Sequence, residues 1–458
     1  MGFPSGMRRG PVAWLLGWLR GALWPIPCLG VLLAIGLGVF LPAVDGWLED
    51  PGDHPLTFVF GGGASAARDL LAAIAGSLIS VTGLTFSLTV VALQLSSSQY
   101  SPRLLQTFVT DRVVQVTLAQ LVLTFVYALT VLRTVRTESA TEDDTAFVPR
   151  LSITVAYLLT LGSVIALVLF LGHLARALRV ETMLRDVHDE ANGTIARRLV
   201  EPAGDERTAD AEGGRLVARA GQPTPLSIGS SGFLVGIDER AAAAAARDAG
   251  VVVELAVRVG DAVVAGTPMA HAWPARSADG SRLEALAEAL DEAVRLDFER
   301  SASEDVAYGL RKVVDIAVRA LSPGVNDPTT AVHALSHVSA LLGDLAARPS
   351  DGRRISDEDG VVRVVVPGWQ FPALLQLGLE EPLQFADGQP AVLRRLAGVL
   401  REVAWRARGG GVEDLLRGYA DALAGTARET TAIDAEETRS WRAALDDALA
   451  GRWSAPHG

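Results

Sequence analysis

Two histidines four positions apart are candidates for metal chemistry. His333 and His337 lie in a segment of helical periodicity, so their side chains share one helix face, as two ligands of one metal ion can. The HExxH signature of zinc proteases needs a glutamate directly after the first histidine, where Ala334 stands. We therefore expect two ordinary helix histidines and no bound metal.

The segment SPGVNDP, residues 322–328, is the next candidate. Pro323 and Gly324 stop the preceding helical pattern, and Asp327 followed by Pro328 has the residue types of a helix N-cap and first turn. The main interpretation is a joint between two helices. In the alternative, Asn326, Asp327 and the amides at the new helix start contact a ligand or ion.

The third candidate is an apolar segment, about residues 70–96, with many hydroxyl and amide side chains. At about 100° per residue, its small and polar residues share one helix face, and its threonines lie roughly opposite. Such a face packs helices together, or lines a wet path between subunits. The pore-lining or helix-packing candidates are Ser77, Ser80, Gly83, Ser87 and Gln94.

Other chemistry is absent from the sequence pattern. There is no GxSxG motif, no glycine-rich phosphate loop and no nucleophile with an evident base. Cys28 is the only cysteine, which excludes a disulfide within the chain and a cysteine-based metal site. We therefore predict no catalytic residues, no cofactor and no enzyme activity.

Four segments are long and apolar enough to cross a bilayer, which needs about 20 residues. The first follows arginines, as a signal peptide would, but Pro42 and Trp47 follow it instead of a small-residue cleavage site. We therefore expect a retained span. The transmembrane domain is predicted over residues 1–172, with spans at about 23–44, 70–96, 113–132 and 151–171.

The arginines predict the orientation of these spans. They precede the first span and recur in the second link and after the fourth span, whereas the first link is mainly acidic and the third is mixed. The N-terminus and the whole second part of the chain are therefore expected in the cytoplasm. The residues on that side include Arg8, Arg9, Arg20, Arg103, Arg112, Arg176 and Arg179.

The second part of the chain is polar and carries nearly all of the net charge of −12. An acidic domain of this kind excludes a nucleic-acid partner, which needs a basic surface. We predict an α+β region with three divisions. They are a cytoplasmic helix and linker at 173–215, a small β module at 216–280 and a mainly helical domain at 281–458.

The predicted β module contains two glycine turns, at Gly260-Asp261 and Gly266-Thr267-Pro268. This pattern resembles the barrel-sandwich module of biotinyl and lipoyl carriers. Those carriers modify a lysine in a hairpin, and this region has none, so a swinging-arm role is excluded. A module that docks or oligomerises is the simpler interpretation.

Four stretches in this order carry a wider resemblance: GLTFSLTVVALQLSSSQYSPRLL, SGFLVGID, GDAVVAGTPM and RALSPGVNDPTTA. They resemble the bacterial predicted membrane proteins grouped as domain of unknown function 2254, over most of the chain. The resemblance implies the architecture described above and a place in the bacterial inner membrane. It implies no activity, substrate or catalytic residue.

Two functions remain open at this point. The first is a channel-like or transport protein, a homo-oligomer with the second span lining the path. The second is a non-conducting membrane scaffold or signalling protein whose cytoplasmic domain binds a partner. The facing of Ser80, Ser87 and Gln94 discriminates between packing within one subunit and an exposed path.

Overall fold

The computed structural model describes residues 24–48, 60–99, 111–136, 147–199, 222–274, 280–348, 352–430 and 432–453. The N-terminal arginines, Arg103 and the predicted linker at 203–215 lie outside this part of the chain. The described residues form thirteen helices and eight strands, in two compact units that divide between Thr182 and Met183.

The first unit contains four helices that are long and apolar enough to cross a membrane, as predicted. The second helix extends beyond the predicted span at both ends. Its 36 residues measure about 54 Å at 1.5 Å per residue, more than a hydrocarbon core of about 30 Å. The bounds are α1 (Pro25–Leu48), α2 (Ala64–Gln99), α3 (Arg112–Leu132) and α4 (Arg150–Ala177).

Helix α3 is the centre of this unit and packs against the other three helices. Tyr127, Ala128 and Val131 on α3 have no exposed surface. Glycine permits the close approach of α1, because a Cβ atom at Gly38 would lie 2.7 Å from the Cβ atom of Thr130. Helices α1, α2 and α4 keep broad apolar surfaces that the unit itself does not cover.

The second unit holds all of the strands and nine helices, beginning with the helix that follows α4. The elements are α5 (Val180–Arg198), β1 (Thr224–Ser227), β2 (Gly232–Ile237), α6 (Glu239–Asp248), β3 (Val251–Leu255), β4 (Ala262–Val263), β5 (Pro268–Pro274), α7 (Gly280–Ala293), β6 (Val294–Asp297), α8 (Val306–Leu321), α9 (Pro328–Ala346), β7 (Arg353–Ser356), β8 (Val362–Val366), α10 (Phe371–Gln384), α11 (Pro390–Arg406), α12 (Glu413–Ala427) and α13 (Ala435–Leu449).

The strands form two sheets, in the orders β1-β5-β3-β8-β7 and β4-β2-β6. The larger sheet is antiparallel except where β3 runs parallel to β8, with Val253 opposite Val364. Both sheets include strands from beyond residue 280, so the segment at 216–280 does not pair only with itself. This pairing does not confirm the predicted barrel-sandwich module.

The C-terminal helices pack around α8, α9 and α11. One face of α8 is apolar and buried, including Leu310, Val313 and Val314. Asp305 caps this helix, because its carboxylate accepts the backbone N–H groups of Ala307 and Tyr308, each at 3.1 Å. Helix α5 packs with one face in the same unit; the sequence predicted it only as a cytoplasmic helix after the fourth span.

Two residues separate the end of α4 from the start of α5. Helix α5 buries one apolar face in the second unit and approaches α8 closely at Gly309, where a Cβ atom would lie 2.6 Å from the Cβ atom of Ala191. Thr194 Oγ1 donates to the carbonyl of Ala302 at 2.7 Å. Helix α5 is thus an integral part of the second unit.

Candidate functional site

The candidate residues of α2 all lie on its exposed surface. Ser77, Ser80, Gly83, Ser87 and Gln94 are exposed in the protomer. A Cβ atom at Gly83 would meet no atom within 4 Å. The Ser80 hydroxyl donates to its own helix, at the carbonyl of Gly76, 3.1 Å away. We call these five residues the polar face of α2; it does not pack helices together within one subunit.

Threonines on the other side of α2 pack inside the unit instead. Thr85 and Thr89 are 1 % and 5 % exposed. Their hydroxyls donate to the carbonyls of Val81 and Thr85, at 2.8 and 2.9 Å. A hydrogen bond to a carbonyl one turn earlier gives the hydroxyl an acceptor in an apolar setting. Packing and the polar face therefore use different sides of the same helix.

A polar contact between α3 and α4 was missed at the sequence level. Thr124 and Ser163 are buried, with their hydroxyl oxygens 2.9 Å apart. The Gln120 amide donates to the carbonyl of Leu159 at 3.2 Å. Hydrogen bonds of this type hold helices together in lipid. The glutamine and threonine within an otherwise apolar α3 were the available signal.

Asp45 of α1 caps the N-terminus of α4. One carboxylate oxygen accepts the backbone N–H of Leu151 at 2.9 Å, and the other accepts the backbone N–H and hydroxyl of Ser152 at 2.9 and 2.6 Å. The Tyr127 hydroxyl donates to the carbonyl of Ser152 at 3.0 Å. Asp45 is 7 % exposed and thus has a structural role at this joint.

A second ionisable contact lies where α3 begins and α4 approaches its end. Asp111 caps α3 by accepting the backbone N–H of Val113 at 2.8 Å. The other oxygen of Asp111 lies 2.5 Å from Nε2 of His173. Asp45 therefore links α1 to the start of α4, and Asp111 links the start of α3 to α4 through His173.

The SPGVNDP loop forms the joint between α8 and α9. Asp327 accepts the backbone N–H of Thr330 at 3.1 Å and the Thr330 hydroxyl at 2.6 Å, which hold the pKa of this carboxyl below its ordinary value. Asn326 adopts a left-handed φ of 48°, and its side-chain oxygen accepts the Gln389 amide at 3.0 Å. Both ligand candidates therefore have contacts within the protein.

The two histidines of α9 have different surroundings. His333 is exposed, whereas His337 is half-buried against His188 of α5, with ring centroids 4.9 Å apart. His188 lies 149 positions earlier, so no local pattern could reveal this neighbour. Within the described ranges, no group of three or more His, Cys, Asp and Glu side chains has a geometry that could hold a metal ion.

Comparison with known proteins adds the family. The family model described as a predicted membrane protein (DUF2254) matches residues 20–402. The chain belongs to this family. The match covers all four apolar helices of the first unit and reaches into α11 of the second.

Two mycobacterial relatives match the chain over a similar length. Uncharacterized proteins of Mycobacterium bovis and of Mycobacterium tuberculosis strain H37Rv are each 34 % identical over 395 residues, covering 85 % of this chain and 73 % of each relative. No solved structure gives a significant match. Membership in DUF2254 establishes a predicted membrane protein and assigns no activity, so a functional argument depends on the geometry of the helices.

Proposed function

We propose that the protein is a homo-oligomeric, channel-like or transport protein in which the polar face of α2 lines a path between subunits. The exposure of Ser77, Ser80, Gly83, Ser87 and Gln94 in the protomer is the observation that carries the proposal. In this arrangement the N-terminus and the second unit lie in the cytoplasm of a bacterial cell, on the inner membrane.

The cost of leaving this face in lipid supports the proposal. The Ser80 hydroxyl donates to a carbonyl of its own helix. The side-chain amide of Gln94, in contrast, has two N–H donors and one carbonyl that need partners. In hydrocarbon each missing partner costs free energy. Water or a neighbouring subunit removes this cost, and a single unit of four helices is too thin to enclose water.

The chemistry of the face predicts the kind of path. It carries hydroxyls, a glycine and one amide, and no charged residue lies on α2 after Asp69. Charged rings and carbonyl cages select ions strongly, and this face offers neither. We therefore expect weak selectivity between small cations and anions, and passage of small polar solutes.

Planar bilayer recording tests this function. The purified oligomer should conduct, and Ser87→Leu and Gln94→Leu should each change the unitary conductance at least severalfold. Thr85→Val is the matched control, since Thr85 is buried within the subunit and its replacement preserves shape. No current from an oligomer of verified subunit number would contradict the proposal and favour the non-conducting scaffold.

The scaffold is the competing function, with the same α2 face packed tightly between subunits. Small residues permit such close packing. In that case the substitutions Ser87→Leu and Gln94→Leu would change assembly, while neither the unsubstituted chain nor the variants would conduct. The second unit would then act by binding a cytoplasmic partner.

A further inference from the structure

A pair of histidines joins α5 to the rest of the second unit. The rings of His188 on α5 and His337 on α9 meet edge to face, with centroids 4.9 Å apart and planes inclined by 61°. Nδ1 of His188 is buried and has no hydrogen-bond partner. A buried imidazole nitrogen without a partner is tolerated when unprotonated, but a buried cationic N–H without an acceptor is costly.

The groups around His337 favour its neutral state. Burial lowers the pKa of His337, and the neighbouring His188 and His333 lower it further, whereas Asp189 acts in the opposite direction. His188 and Asp189 belong to α5, and His333 and His337 to α9. Protonating both rings of the pair would place two cations against each other at this contact.

Helix α5 has further polar contacts in the second unit. They include the Lys312–Glu190 ion pair at 2.7 Å, the hydrogen bond from Thr194 to the Ala302 carbonyl at 2.7 Å and the Arg198–Glu304 ion pair at 2.8 Å. Histidine is the side chain whose ordinary pKa lies between pH 5 and 8. Of the contacts named here, the pair of rings is the one built on histidine.

We propose that His188 and His337 form a proton-operated clasp, which tightens the contact of α5 with α9 at neutral pH and loosens it as the pH falls towards 5. The clasp lies next to the membrane segment in the chain, because α4 ends at Ala177 and α5 begins at Val180. Loosening of the clasp therefore acts on the segment that follows the fourth span. This inference does not depend on whether α2 lines a path.

The direction of the pH effect follows from the lowered pKa of His337. When the contact is loosened, His337 regains its ordinary pKa. The loosened form therefore binds more protons than the clasped form at pH values between the lowered and the ordinary pKa of His337. Stabilisation by the clasp is therefore complete above the ordinary histidine pKa of about 6.5 and is lost as the pH falls through and below that value.

Amide hydrogen exchange of the full chain in lipid nanodiscs tests the clasp. Exchange is followed at pH 7.5 and 5.5, with labelling times scaled for the intrinsic rates. We expect protection of residues 183–198 to fall about tenfold at pH 5.5, while α13 keeps its protection. Unchanged protection of residues 183–198, or an equal loss in α13, would overturn the proposal.

Substitutions identify the groups responsible. His188→Gln and His337→Gln should abolish most of the pH response, because glutamine cannot become charged. His271→Gln is the matched control, since His271 lies on β5 opposite Glu254 and should leave the full response. A full response in His337→Gln would refute the assignment.

A measurement on the unsubstituted chain tests the clasp even if the variants misfold. Histidine C2 hydrogen exchange, read by mass spectrometry, gives the pKa of each imidazole in the folded protein. The proposal requires His337 to titrate below about 6.5. A value at or above this would overturn the clasp, whatever the variants do.

Discussion

Nζ of Lys312 lies 2.7 Å from Oε2 of Glu190, across 122 positions of sequence. Lys312 is the only lysine in a chain whose other basic side chains are arginine or histidine, and its side chain is 9 % exposed. Glu190 belongs to α5 and Lys312 to α8. The ion pair therefore fixes the helix after the fourth span to the centre of the second unit.

Loss of this pair should destabilise the second unit. Lys312→Met keeps the aliphatic stem but leaves Glu190 without its cation, and we expect the free energy of unfolding to fall by about 1–2 kcal/mol. Glu190→Gln should cost less, because Glu190 is about half exposed. Denaturant unfolding with a double-mutant cycle measures the coupling. Glu284→Gln, at an exposed position on α7, is the control; equal losses there would contradict a specific pair.

Removal of the Asp45 carboxylate should weaken the joint between α1 and α4. Asp45→Ala leaves the first amides of α4 and the Ser152 hydroxyl without their acceptor, at a cost of about 2 kcal/mol. Thermal unfolding in detergent should shift downwards. Asp69→Asn, on the exposed surface of α2, should leave the midpoint unchanged. An unchanged midpoint in Asp45→Ala would refute the capping role.

Glycine substitutions separate contacts within a subunit from contacts between subunits. Gly83→Leu adds a side chain into open space in the protomer, so the protomer fold should persist. If the polar face of α2 lines a path, the oligomer should assemble normally and conduct less. Gly38→Leu must displace Thr130 and should destabilise the protomer itself. Native mass spectrometry and thermal unfolding distinguish the two. A shift of Gly83→Leu to smaller assemblies would contradict the path and favour the scaffold, in which this face packs between subunits.

The Asp327 cap should show a defined pH dependence. Asp327→Ala should lower the free energy of unfolding by about 1 kcal/mol at pH 7. Because the folded pKa is lowered, the ionised cap contributes fully above about pH 4 and less as the pH falls through the folded value. The difference between the two proteins should therefore shrink in acid.

Asn326→Gly should change the free energy of unfolding very little, since glycine adopts φ of 48° readily. A larger loss of stability there would show that the contact of Asn326 with Gln389 dominates.

Local patterns predicted the helices well. Asp327 and Pro328 were expected to start a helix near residue 328, and α9 begins there with Asp327 as its N-cap. The four apolar helices were predicted because runs of about 20 apolar residues have few alternatives in a chain of this type.

Contacts across long sequence separations could not be predicted. Nothing near Asp45 indicates that it caps a helix beginning at Arg150, and nothing near His337 indicates His188. The pairing of β3 with β8 joins strands about a hundred residues apart. Periodicity reports which face of an element is apolar, but not which partner covers that face. The sequence alone predicted the polar face of α2, but only the structure could establish that this face is exposed.

The central place of α3 has a consequence for biogenesis. Gln115, Gln120 and Thr124 lie on this apolar helix, and each polar side chain raises the cost of entering lipid alone. Its polar contacts with α4, at Ser163 and Leu159, exist only after the fourth helix has arrived. We therefore expect α3 to stay beside the translocation machinery until α4 emerges, so that the two helices enter the bilayer as a pair.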